Sequence, residues 1–226
     1  MALAHWEQLQ EETSRWLVRE RHRPRRSSGV EALDHLLAGG WPVGKVGELL
    51  GPVSSGKTSL AARTVAQATG KGELCLWVDA CGELDAPSLA ACGVWLEALL
   101  VVRVREIEQA VRATELVLAA GGFTTVVVDL GGWKGEKRGY RGKERWHLPL
   151  RLARAVEGAG VVGLVLAEAP WMGTWAATRV IFSPAQPRFV VAEGSPPWFA
   201  GWHLRASLQR GQGVQVGKEL AWAMGA

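Results

Sequence analysis

The sequence is poor in residues that cross-link or anchor a chain. It has three cysteines, Cys75, Cys81 and Cys92, an odd number without metal-ligand spacing. That favours reduced thiols over a disulfide framework. No apolar run reaches the roughly 18 residues a membrane span needs. The opening MALAHWEQLQEE carries acids where a signal peptide has an apolar stretch, so the sequence predicts a cytoplasmic protein with no membrane partner. Tyrosine is nearly absent, with Tyr140 alone against 12 tryptophans. The two signs of charge nearly balance: a net +4 in 226 residues permits a polyanionic partner without requiring one. The hydrophobic fraction of 48% and charged fraction of 21% are those of a folded chain able to bury a substantial core.

The apolar positions Leu3, Trp6, Leu9, Thr13, Trp16 and Leu17 recur at three and four, the spacing of one helix face. Arg23 and Pro24 end that helix, and RERHRPRRSSG reads as a basic linker. From Gly29 strands and helices alternate. Strands are expected at Lys45–Leu50, Glu73–Ala80, Leu99–Arg103, Thr124–Leu130 and Val161–Ala167, with helices over 59–69, 107–118 and about 148–158. Such alternation predicts an α/β fold with a mainly parallel central sheet flanked by helices. After about residue 178 only strand-like segments remain (RVIFS, RFVVAE, HLRASLQR, VQVGKELAWA), and they are expected as antiparallel edge strands. The organisation is therefore 1–28 helix and linker, 29–178 an α/β core, and 179–226 a β-rich extension of the same domain.

GPVSSGKTSL, residues 51–60, satisfies G-x-x-x-x-G-K-[ST] with a strand before it and a helix after it. The backbone and side chains of Gly51, Ser54, Ser55, Gly56, Lys57, Thr58 and Ser59 are the nucleotide-binding candidates. The glycines let N–H groups wrap phosphate oxygens, the lysine reaches the terminal phosphates, and the Thr58 hydroxyl is a magnesium ligand. Asp129 ends the apolar strand TTVVVDL, where a phosphate-loop fold needs a carboxylate near magnesium. An acid at that place also suits a simple turn.

GVEALDHLLAGGWPVGKVGELLGPVSSGKTSL, ELCLWVDACGELDAPSLAACGVWLEALLV and EQAVRATELVLAAGGFTTVVVDL, taken in order, resemble the RecA family of recombinases over roughly residues 29–168. The resemblance implies a RecA-like core with ATP and magnesium at the carboxyl ends of the strands. It also exposes departures. Cys81 stands where the family has the glutamate that activates the attacking water, with Glu83 two residues on as a weak substitute. Ser88 replaces the adenine-stacking tyrosine, and Glu168 replaces the γ-phosphate-sensing glutamine. A complete cradle with these losses implies a degenerate ATPase with little or no hydrolysis.

The resemblance places a DNA-reading loop at WKGEKRGYRGKERWH, residues 133–147. Lys137, Arg138, Arg141, Lys143 and Arg145 are the single-stranded DNA candidates there, interleaved with aromatics. A solvated loop or a protein-docking surface fits the same composition. A second loop, APWMGTWAAT, is almost uncharged; Trp171, Met172 and Trp175 suit either a protein contact or burial against the sheet. Trp6, Trp16, Trp198 and Trp202 are the partner-binding candidates near the two ends. Short RecA relatives of this design resemble the ImuA family, mutasome accessory proteins that act with an ImuB-like polymerase relative and RecA in SOS-induced translesion synthesis. The alternative is an active DNA-dependent ATPase of recombinational repair. Division inhibitors like the SulA proteins also resemble RecA, but they lack a phosphate loop.

Overall fold

A computed structural model describes residues 6, 10–14, 23–131, 146–191, 196–211 and 217–224. Its main sheet has nine strands: β3 (Lys45–Leu50), β4 (Leu74–Asp79), β5 (Leu99–Arg103), β6 (Phe123–Asp129), β7 (Val162–Ala167), β8 (Ala176–Phe182), β9 (Gln186–Val190), β10 (Trp198–Gly211) and β11 (Glu219–Met224). They lie in the order β11-β10-β8-β3-β7-β6-β4-β5, with β9 beside β10. Every pairing from β8 through β3, β7, β6 and β4 to β5 is parallel, and β9 and β11 flank β10 antiparallel. The sheet is thus mixed α/β with antiparallel strands at one edge, as expected.

Alternation along each strand divides the core in two. Cys75, Trp77, Val127 and Leu164 face α1 (Glu31–Leu36) and α2 (Lys57–Thr69). Leu76, Val78, Val126 and Val165 face α4 (Ile107–Ala120) and α5 (His147–Ala159). Strands buried on both faces carry continuous apolar runs, which is why LCLWVD and FTTVVVD read so plainly.

Three local features differ from expectation. RVIFS belongs to β8, which runs parallel to β3 with Gly47 opposite Thr178, so it is an interior strand and not part of an edge hairpin. AATRVIF is mostly buried, and only β10 beyond it turns the sheet antiparallel. The short helix α3 (Ala86–Ala91) has no sequence-level counterpart above, although Asp85 caps it and a proline sits in its first turn.

From Arg23 onward, the basic segment expected as a linker is tied down instead. Arg25 and Arg26 form β1, paired with Trp41–Pro42 (β2). Arg25 donates to the carbonyls of Leu37 (2.6 Å) and Gly40 (3.1 Å), and Arg26 pairs with Glu73 at 2.5 Å. Residues 10–14 are helical and Trp6 is exposed; Trp16 lies outside the described residues. No helix among the described residues is long and apolar enough to cross a membrane.

Candidate nucleotide site

The loop after β3 turns sharply because two of its residues adopt left-handed backbone, Ser54 (φ 59°) and Gly56 (φ 90°). Gly56 caps α2 without any side-chain hydrogen bond, so the first N–H groups of the helix are left for an anion. Lys57 is buried and its Nζ donates to the Pro52 carbonyl at 3.1 Å, folded back over the loop. The Ser55 hydroxyl is buried with no partner among the described residues. Thr58 is exposed at the mouth of a cleft of about 230 Å³ that Lys57, Glu83, Ser88 and Asp129 also line. A left-handed turn and a lysine on this cleft, with the orphaned Ser55 hydroxyl in the same loop, fit a phosphate chain.

Asp129 is brought to this cleft by β6, two places from β3 in the sheet. Burial pushes its carboxyl up to about 6, against a hydrogen bond from the Gly131 N–H (2.9 Å) and with the negative charge of Asp79 adding to the rise. A carboxylate costly to ionise alone is one that a nearby cation would stabilise. Its neighbour across the β4–β6 register is Asp79, which the sequence reading passed over. Asp79 is fully buried, and burial opposes its charge. Donors outweigh that: the Cys81 thiol (3.2 Å) and the N–H groups of Leu84 (3.2 Å), Gly82 (2.7 Å) and Cys81 (3.1 Å) hold its carboxyl below the usual range. The signal was present, because WVDA repeats the strand-ending acid of VVVDL.

Cys81 therefore serves as a donor. Burial, then the negative charge of Asp129, pushes its thiol up to about 12. Its side chain is wedged against Gly131, where a methyl group would stand 2.5 Å from Cys81 Cβ. A neutral thiol held this way accepts no proton from water. Glu83 is exposed and lines the cleft. The Ser88 hydroxyl donates to Asp85 at 2.6 Å as part of the α3 cap and offers no flat surface to a base. Glu168 is half-buried, one residue beyond the Ala167 carbonyl that accepts the Gly51 N–H.

The second loop is fixed by another acid unforeseen from sequence. Glu48 is fully buried in β3 and accepts from the N–H groups of Trp171 (2.6 Å) and Met172 (2.8 Å) and from Arg179 Nε (2.7 Å). An acid inside the apolar strand KVGELL signals such a partnered charge. Trp171 and Met172 are buried, whereas Trp175 is exposed. Trp198 and Trp202 are exposed too, the latter edge-on to Phe199 at 5.4 Å. Lys137, Arg138, Arg141, Lys143 and Arg145 lie outside the described residues.

A phosphate loop at the carboxyl edge of a parallel sheet, with acids ending two nearby strands, defines the fold of a P-loop protein. The description of the RecA N-terminal domain matches residues 20–133, and the chain belongs to that family. The RecA proteins of Brucella canis, Brucella abortus and Brucella melitensis are each 42% identical to it over 104 residues, 46% of this chain. The matched segment spans 29% of those relatives' length. The crystal structure of the RadB recombinase superposes with a TM-score of 0.66 at 19% identity, covering 87% of this chain and 94% of that one, a likeness of fold.

Proposed function

We propose that this protein is a RecA-like accessory factor in DNA repair, of the ImuA branch, that holds ATP with magnesium and hydrolyses it slowly or not at all. The observation that carries the reading is Cys81: the cradle beside it is complete, yet the position of the water-activating group holds a neutral thiol bonded to Asp79. Bound Mg–ATP would supply a phosphoanhydride whose cleavage needs an oriented, deprotonated water. The N–H groups of residues 54–59 and Lys57 would bind its phosphates, with Thr58 and Asp129 holding the metal. Residues 29–178 are read as the nucleotide-binding core and 179–226 as an extension of the same domain, since β10 pairs directly with β8. Family membership supports a role in repair or recombination in the cytoplasm. The departures at Cys81, Ser88 and Glu168, together with the exposed Trp175, Trp198 and Trp202, favour a mutasome role through contacts with RecA and an ImuB-like polymerase relative, with single-stranded DNA as a further partner.

The test is ATP binding and DNA-stimulated phosphate release by the purified full chain. Binding should vanish in Lys57→Ala, with phosphate release near background in the wild type. Robust DNA-stimulated release would instead establish the second reading, a working DNA-dependent ATPase in which Glu83, on the cleft wall, replaces the missing base. Cys81→Glu discriminates further, since restored turnover would identify that position as the lost base. Co-precipitation of RecA and ImuB from DNA-damaged cells tests the partners; absence of both would sink the mutasome reading.

A further inference from the structure

The phosphate loop is walled by side chains of β8 and β10. A methyl group at Gly51 would meet Phe182 Cβ and Ser55 Oγ at 2.8 Å, and one at Gly56 would meet both Leu204 Cδ atoms at 2.7 Å. Phe182 ends β8; Leu204 stands on β10 opposite Trp222 of β11. The Phe182 and Trp222 rings meet edge-on at 6.0 Å. Two buried polar atoms near this seam, Ser55 Oγ and Trp222 Nε1, have no partner among the described residues. Gly51 is thus demanded by its closeness to Phe182, and Gly56 by its positive φ, with the end of the Leu204 side chain packed against it.

We propose that Leu204 and Phe182 are positioning residues for the phosphate loop, and that the β10–β11 hairpin tightens when the loop takes up a nucleotide. The inference rests on the nucleotide-binding reading above and adds its route of regulation. Close-packed interiors transmit displacement because no void absorbs it. The loop's left-handed turn at Ser54–Gly56 abuts Leu204 with no room for a methyl group between them. A shift of the loop therefore moves Leu204, and with it the Trp222 strand to which β10 is hydrogen-bonded. In the reverse direction, anything that displaces the hairpin loosens the loop's N–H groups and weakens their grip on phosphate.

The experiment titrates the full chain with a fluorescent ATP analogue and magnesium, comparing wild type, Leu204→Ala, Leu204→Met, Leu208→Ala and Lys57→Ala. Leu208 is as buried as Leu204 and lies on the same face of β10, away from the loop, so it reports the cost of a core cavity alone. Leu204→Ala should weaken binding about tenfold, Leu204→Met should restore it, and Leu208→Ala should stay within about twofold of wild type. Equal affinity in Leu204→Ala and wild type, or equal losses in both alanine variants, overturns the inference while leaving nucleotide binding standing. Wild type binding no better than Lys57→Ala defeats the nucleotide reading itself, and this inference with it. Hydrogen exchange on the wild type needs no variant to fold: amides of residues 202–208 should exchange more slowly with Mg–ATP present. Unchanged exchange in a nucleotide-saturated sample also overturns the proposal.

Discussion

Single charges decide more here than the charge total suggests. Glu48 is fully buried, and its two oxygens satisfy two backbone N–H groups and one guanidinium. Removing one partner of a buried pair strands the other, so Glu48→Ala should cost about 3–5 kcal/mol in urea unfolding. A loss below about 1 kcal/mol would mean that Arg179 finds water instead. Glu73 offers a pH signature. The Arg26 guanidinium, followed by Thr124, holds its carboxyl below the usual 4.5 against a smaller burial penalty. A depressed carboxyl stabilises the fold above its unfolded-state value and loses that contribution as pH falls through the folded value. Glu73→Gln should therefore lower the unfolding midpoint at about pH 7, and the gap to the wild type should close as pH falls through the folded carboxyl's depressed value. Equal midpoints throughout would leave the Arg26 pair without net effect.

At the level of elements, the C-terminal strands have two ends with different duties. Ala206, Leu208 and Leu220 belong to the core and Leu204 is buried beside them on β10, so cutting the chain near residue 196 removes core side chains and the strand that pairs with β8. The first residues of β10 are different: Trp198 is 60% exposed, and Phe199 meets both Phe189 and Trp202 edge-on in the open. Point substitution there is the proper test of docking. If the proposed docking of ImuB or RecA uses this patch, Trp198→Ser with Trp202→Ser should leave the thermal midpoint within a few degrees and weaken capture about tenfold or more, as loss of aromatic anchors does. Undiminished capture of both partners would move the search to Trp175 and Trp95, which are also exposed.

For the whole molecule, the question is how a positive net charge of 4 is used. Several arginines of the folded part are already paired: Arg26 with Glu73, Arg151 with Glu115 and Arg179 with Glu48. A cluster of basic residues falls in 134–145, outside the described residues. If those side chains meet single-stranded DNA, affinity should fall steeply as salt rises, because each neutralised phosphate releases condensed counterions. Charge reversal at Arg138, Arg141 and Lys143 should flatten that slope and leave the unfolding transition unchanged. Salt-independent binding would assign the loop to a protein partner.

Much of this was readable in one dimension. Strands buried on both faces need unbroken apolar runs, so TTVVVDL and ELCLWVDA announced themselves. The phosphate loop is one contiguous segment whose chemistry depends on local backbone, so its residues and its flanking strand and helix could be named directly. What sequence left open depended on partners distant along the chain. Glu48 and Arg179 are 131 residues apart. Leu204 reaches Gly56 only because β10 folds back beside β8. Nor does local pattern give strand neighbours: β8 reads like the edge strands after it, yet parallel pairing with β3 makes it interior. Cys81 was marked by position alone, and its neutral, hydrogen-bonding state arises from Asp79, Asp129 and Gly131 closing around it. Local backbone and burial pattern are written residue by residue; charge state and packing exist only once the sheet has brought separate segments together.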